Sequence, residues 1–283
     1  MVAHGVPLIF PELDRVNRYA YQQRAALRMF GNASGWLEEG ERAAIQSVAS
    51  GVSGAPILDL GVGGGRTAPL MCAISEEYCG IDYAPAMVAL ARRRFPDLRF
   101  MLMDARHLDF PDASFALATF SYNGIDSVDL AGQQAILREV HRVLSPGGCF
   151  VFSALNLAAA AREGHWPDWS VFDGAATDPW RLARGVARLA VGGINRLHAG
   201  SVACRDDETA IGPLAACNFL LVSVFVSIPG QVRRLRAAGF EVEAIFTPEG
   251  LHLPIEAATH AAASWHHFVA RKGRTGVPRN AAT

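Results

Sequence analysis

The chain has 283 residues, 51% of them hydrophobic and 19% charged, enough for one large core or a core with a small appendage. Its formal charge is -1 and its 26 basic residues are scattered, so the sequence carries no electrostatic footprint for a phosphate backbone, and nucleic acid is excluded as an expected partner. The five cysteines show no C-x-x-C spacing and sit mostly in apolar runs, which fits a reducing cytoplasm. The longest aliphatic run, 219–228, is too short to span a bilayer, so no membrane partner is expected.

In chain order, residues 12–50 (ELDRVNRYAYQQRAALRMF, then WLEEGERAAIQSVA) read as two leading helices, broken by Gly-Asn and Ser-Gly. From Pro56 short apolar runs alternate with amphipathic segments. The runs are ILDL, YCGID, LRFMLMD and SFALATFSY; a helical DLAGQQAILREVHRVL, an SPGG turn and the strand CFVFSAL follow. Apolar runs of this length separated by helices imply a parallel sheet buried on both faces, so the class is α/β, doubly wound. Residues 156–217 break the rhythm and read as an insertion whose most aromatic stretch is HWPDWSVFDG. The alternation resumes with NFLLVSVFVS, PGQVRRLRAAG, FEVEAIF and SWHHFVARK. The expected division is helices at 1–50, a core at 51–155 and 218–272, an insertion at 156–217 and a flexible tail at 273–283.

The chemistry starts in ILDLGVGGGRT. Gly61, Gly63 and Gly65 follow a strand, where the backbone can turn sharply and approach a ligand, while the next helix offers N–H donors. Asp82 ends the following strand, 21 residues after Gly61, where a carboxylate can accept bonds from two ribose hydroxyls. Both NAD and S-adenosylmethionine present a ribose to such a site. The D-x-G-x-G-x-G spacing departs from the dinucleotide G-x-G-x-x-G, and the acid Asp59 suits an ammonium and a sulfonium better than a pyrophosphate.

With GIDYAPAMVALARRRFP, FMLMDARHLDFPDASFALATFS and REVHRVLSPGGCFVFS following in order, residues 57–155 resemble the core of class I S-adenosylmethionine-dependent methyltransferases. The resemblance implies a seven-stranded, mostly parallel sheet whose antiparallel last strand is SWHHFVARK, with N-terminal helices over the cofactor and the insertion as a cap. It also implies that Asp59 supports the ammonium end of the cofactor, Gly61, Gly63 and Gly65 lie against its amino-acid and ribose parts, and Asp82 holds the ribose. Tyr83 and Met87 would flank adenine, Asp104 and the backbone of Ala105 would read it, and Phe120 and Ser121 would face the methionine arm. Arg66 is a candidate for contact with cofactor or substrate, and alternatively for a solvated helix start.

Tyr122 and Asn123 replace the Asn/Asp-Pro-Pro-Tyr element of methyltransferases that act on nucleobase amines or glutamine, and are expected to line the acceptor pocket. Tyr21 is expected to close the site. His165 and His198, in the insertion, are the base candidates, whereas His107 and His141 read as structural and His266 and His267 lie in the last strand. Asp126 and Asp129 fit a solvated loop and a helix start as well as ligands, so no metal is expected. Trp166, Trp169, Phe172 and Trp180 suggest a cap over a flat ligand, and equally a satellite core or a dimer contact. The expectation is a methyltransferase of secondary metabolism acting at O, N or C of a small, aromatic or heteroaromatic molecule, with a homodimer left open. An NAD-type oxidoreductase and a noncatalytic cofactor-binding subunit are the alternatives.

Overall fold

A computed structural model describes residues 12–31, 37–163, 178–199, 203–204 and 206–274. In chain order these form α1 (Glu12–Tyr21), α2 (Arg24–Gly31), α3 (Glu39–Val52), β1 (Ile57–Leu60), α4 (Ala68–Ile74), β2 (Tyr78–Asp82), α5 (Pro85–Arg94), β3 (Arg99–Leu102) and β4 (Phe115–Phe120). A 3-10 turn at Gly124–Ser127 leads to α6 (Leu130–Val143), β5 (Leu144–Leu155), α7 (Leu157–Glu163), α8 (Pro179–Ala199), β6 (Ala203–Cys204) and β7 (Thr209–Pro213). The chain then forms β8 (Val222–Val226), α9 (Ile228–Ala237), β9 (Phe240–Phe246), β10 (His252–Leu253), α10 (Ile255–Ala258) and β11 (Trp265–Lys272).

The main sheet has the order β10-β9-β11-β5-β4-β1-β2-β3. Strands β3, β2, β1, β4 and β5 are mutually parallel, and β11 runs antiparallel between β5 and β9. The two-residue β10 adds an eighth strand outside the seven expected. Strand alternation sorts side chains onto two faces. Leu58, Leu60, Phe150, Phe152 and Phe268 join the core beneath α6 and α9, with Phe150 and Phe152 stacked at 4.6 Å. Ile57, Leu117, Val151 and Val269 join the opposite core with Ile45 of α3, Met71 of α4 and Val88 of α5.

Two sequence expectations change. Strand β8, read as the return to the main sheet, pairs instead with β7 in a separate three-stranded sheet with β6, so the segment from 218 first builds the added layer. The first leading helix is two helices: α1 stops where Gln22 and Gln23 bond back to Tyr19 and Ala20, with neither Gly nor Pro to announce it. Helix α1 is pinned by the buried Asn17, whose amide donates to the Ser127 and Val222 carbonyls and accepts from the Val222 N–H. Among the described residues no helix is long and apolar enough to cross a membrane. The aromatic stretch with Trp166, Trp169 and Phe172, the base candidate His165, and the tail beyond Arg274 lie outside the described residues.

Candidate active site

The sheet order reverses between β1 and β4, and at their carboxyl ends lies a cavity of about 270 Å³. Its floor is backbone. Gly61, Gly63 and Gly65 have φ of 60°, 52° and 77°, the left-handed region that L side chains avoid. A Cβ on Gly61 would run into the Phe120 ring, and one on Gly65 would stand 2.9 Å from Phe95. The loop is tied to the next strand by Asp82, whose Oδ2 accepts the Gly63 N–H at 2.9 Å and whose Oδ1 accepts the Ala84 N–H at 2.8 Å. Burial pushes the Asp82 carboxyl up to about 6, against the pull of those two N–H donors.

Of the residues expected around a cofactor, Gly61, Gly63, Arg66, Asp82, Tyr83, Met87, Phe120 and Ser121 line this cavity, with Tyr21 and Tyr122. Gly65 stands behind them, packed on Phe95 and Phe100. Asp59 is corrected. It is buried beneath the loop and accepts the hydroxyls of Thr67 (2.5 Å), Thr119 (2.8 Å) and Tyr78 (3.0 Å), so it braces the glycine turn rather than facing the cavity. Asp104 and Ala105 also lie outside the cavity lining. The Asp104 carboxylate binds Arg106 (2.6 Å) and Arg18 (3.1 Å). Burial resists ionisation of Asp104, but the Arg106 bonds and then Arg18 outweigh it and hold the carboxyl below its ordinary range.

Tyr21 donates to or accepts from Ser127 Oγ at 2.8 Å, and burial pushes its phenol well above the ordinary tyrosine range. Arg18 lies 4.5 Å over the Tyr83 ring, so α1 covers Tyr83. The Tyr83 hydroxyl is buried with no hydrogen-bond partner among the described residues. Arg66 is not solvated: it grips Glu41 at 2.6 and 2.8 Å and stands 5.3 Å from the Tyr122 ring. Burial opposes its charge, and Glu41 more than restores it.

A second cavity of about 90 Å³ adjoins the first, and Tyr21, Met29, Phe30, Tyr122 and Ser127 belong to both. Tyr122 and Asn123 adopt consecutive left-handed conformations, φ 55° and 57°, strained for non-glycine residues. The Asn123 N–H donates to Ser153 Oγ at 2.7 Å, while its side-chain oxygen is buried and unpartnered among the described residues. The rest of the lining includes Glu38 and Glu41 from the start of α3, and Trp265 and His267 from β11. Gly40 permits this approach, because any Cβ there would strike the Thr247 carbonyl and the His267 ring.

The sequence places His267 in the last strand and singles out none of Glu38, Glu41, Trp265 and Ser127. Their one local signal is the glycine inside EEGE (38–41), unusual in a helix's first turn. His266 is fully buried, its imidazole lowered to about 4 by burial, and His141 packs edge-on at 5.1 Å to Phe240. Asp126 is buried and takes the Leu155 N–H at 2.6 Å, so it is no solvated loop residue, and Asp129 caps α6 through the Gly132 N–H.

The residues present fit S-adenosylmethionine: a glycine cradle, a carboxylate with acceptor capacity on both oxygens, an orphaned buried Tyr83 hydroxyl and an adjoining room for an acceptor. A family model described as a methyltransferase domain matches residues 57–148. A demethylmenaquinone methyltransferase of Chlorobaculum tepidum is 36% identical over 94 residues, 33% of this chain and 38% of that one. A malonyl-[acyl-carrier protein] O-methyltransferase of Serratia marcescens is 30% identical over 164 residues, 57% of this chain and 62% of that one. The chain spans less than half the length of the demethylmenaquinone relatives it matches.

Two solved structures share the fold. The CcbJ methyltransferase from Streptomyces caelestis has a TM-score of 0.56 at 17% identity, over 90% of this chain and 98% of that one. The 1,6-didemethyltoxoflavin-N1-methyltransferase of Burkholderia thailandensis, solved with its substrate and S-adenosylhomocysteine, has a TM-score of 0.56 at 16% identity, over 95% of this chain and 93% of that one.

Proposed function

We propose that this chain, which carries a class I methyltransferase domain, transfers the methyl group of S-adenosylmethionine to a small, aromatic or heteroaromatic acceptor. The observation that carries the proposal is the cavity at the β1/β4 reversal, where the Gly61–Gly65 turn, Asp82 and the Tyr83–Met87 pair meet. The cofactor supplies an electrophilic methyl on a sulfonium; the protein supplies place. In this reading Asp82 accepts the ribose hydroxyls and the glycine turn lets backbone lie against the ligand. Tyr83 and Met87 sandwich the adenine, while Phe120 and Ser121 flank the methionine arm. Tyr21 and Arg18 close the site from α1.

Holding donor and acceptor in line is worth up to roughly 7–11 kcal/mol in model reactions, which makes the walls around the acceptor the main catalytic asset. The second cavity, which shares Tyr21, Phe30 and Tyr122 with the first, supports its assignment to the acceptor. The enzyme is read as acting in the cytoplasm on metabolites of the secondary kind. A homodimer would use α8, where Trp180, Val186 and Leu197 stand exposed. The test is incubation with methyl-labelled cofactor and a panel of phenols, indoles, amines and carboxylates, read by mass spectrometry. A product heavier by one labelled methyl is expected. Cofactor binding with no transfer to any acceptor class would leave the noncatalytic-subunit reading in its place.

A further inference from the structure

We infer that the second cavity takes a protonated amine carried on an aromatic or short arylalkyl body, with Glu38 as its counterion and His267 as the group that removes its proton. The inference rests on the methyl-transfer reading and narrows it from any small aromatic acceptor to one that binds as a cation.

Three features converge. The first is charge. Two carboxylates line the cavity, and Arg66 matches only one of them, Glu41, through two hydrogen bonds. On Glu38, Oε2 accepts the Trp265 indole N–H at 2.8 Å, and no described residue engages Oε1. Glu38 stands at the N-cap of α3, and its side chain makes no capping hydrogen bond there. A carboxylate that no guanidinium or ammonium of the described residues meets, in a pocket walled by aromatic rings, favours a ligand that brings the positive charge.

The second feature is the pattern of vacant hydrogen-bond positions. The Asn123 side-chain oxygen is buried and unpartnered among the described residues, an acceptor that an N–H or O–H of a ligand would satisfy. His267 is buried, and its Nε2 sits 3.4 Å from Glu38 Oε2 with no hydrogen bond formed. The third feature is the wall. Tyr21, Phe30, Tyr122 and Trp265 surround these groups, and aromatic faces favour both a flat body and an adjacent cation.

The proton has a defined course. An ammonium nitrogen has no lone pair to offer, so one N–H bond must break, with its electron pair remaining on nitrogen. The proton passes to the His267 imidazole, whose new charge is balanced by Glu38. The neutral amine stays held by Asn123. Register brings His267 and Asn123 together: His267 pairs with Ser153 across β11 and β5, and Ser153 holds the Asn123 backbone.

The experiment uses three probes of the same size, phenethylamine, 2-phenylethanol and phenylacetate, titrated calorimetrically into the protein saturated with S-adenosylhomocysteine. The amine is expected to bind at least about tenfold more tightly than the alcohol, with the acid weaker still. Glu38→Gln should erase that preference while leaving S-adenosylhomocysteine affinity unchanged. His267→Gln should retain amine binding and lose labelled-methyl transfer to it. Equal binding of the three probes, tighter binding of the acid, or a preference that survives Glu38→Gln overturns the inference. Because each variant is first titrated with S-adenosylhomocysteine, a misfolded variant or a failed cofactor reading shows itself separately. Should Glu38→Gln not fold, Asn123→Leu serves: it is expected to weaken the amine several-fold and the acid little, and an unchanged amine affinity counts against the inference.

Discussion

The two adjoining cavities are built by different means. The larger is shaped by backbone: a glycine turn, two strand ends and the N–H groups that Asp82 ties down, all within 61–87 and 120–127. The smaller is shaped by side chains from places distant in sequence, such as Trp265 bonded to Glu38 across 227 positions. Backbone geometry tolerates no substitution where a Cβ has no room, whereas a side-chain pocket can be re-lined without disturbing the fold. If the larger cavity holds the cofactor and the smaller one the acceptor, the cofactor turn is the part least open to substitution and the acceptor pocket the part most open to it.

The largest expected effect lies at the joint between the two. Arg66→Ala leaves Glu41 buried without its partner, which should cost about 3–5 kcal/mol of stability in denaturant unfolding. A loss below 1 kcal/mol would mean that the pair is not structural. Next comes the backbone side. Gly61→Ala combines a left-handed conformation, about 1–2 kcal/mol, with overpacking against Phe120, about 1–3 kcal/mol, and should abolish S-adenosylhomocysteine binding.

Asp82→Ala should weaken the same ligand by on the order of 2–4 kcal/mol while the fold persists. The wild-type site should also respond to pH. Burial raises the Asp82 carboxyl to about 6, so the folded protein takes up that proton more readily than the unfolded chain. This group's contribution to stability is therefore present in acid and lost as pH rises through about 6. A ligand that needs the carboxylate as acceptor binds best above that range. S-adenosylhomocysteine affinity should fall on the order of tenfold from pH 7.5 to pH 5 in wild type and stay flat in Asp82→Ala.

The smallest effect is expected at Trp180, 76% exposed on α8. Trp180→Ala should change melting at low protein concentration by less than about 0.5 kcal/mol. A concentration-dependent loss would place the homodimer contact there.

How much of this was legible in the sequence follows from the same contrast. Strands β1, β2, β4 and β5 and the cofactor turn could be read because each is a contiguous pattern: an apolar run, glycines at alternate positions and an acid at a fixed distance. The antiparallel place of β11 came from the resemblance and is met. Asp59 and Asp104 sit where family motifs put acids, yet nearby hydroxyls and arginines occupy them, and no spacing rule reveals that competition. Strand β8 looked like a core strand because its run is largely apolar; its partner β7 lies in the insertion, where no period was visible. His267 read as one more strand residue, since its role depends on Glu38 and Gly40 arriving from the far end of the chain.

The central claim is that the β1/β4 cavity holds S-adenosylmethionine. Its most direct test is a calorimetric titration of the purified protein with S-adenosylhomocysteine and, separately, with NAD. One site of micromolar affinity for S-adenosylhomocysteine and no heat of binding for NAD are expected. Saturable binding of NAD alone would contradict that claim.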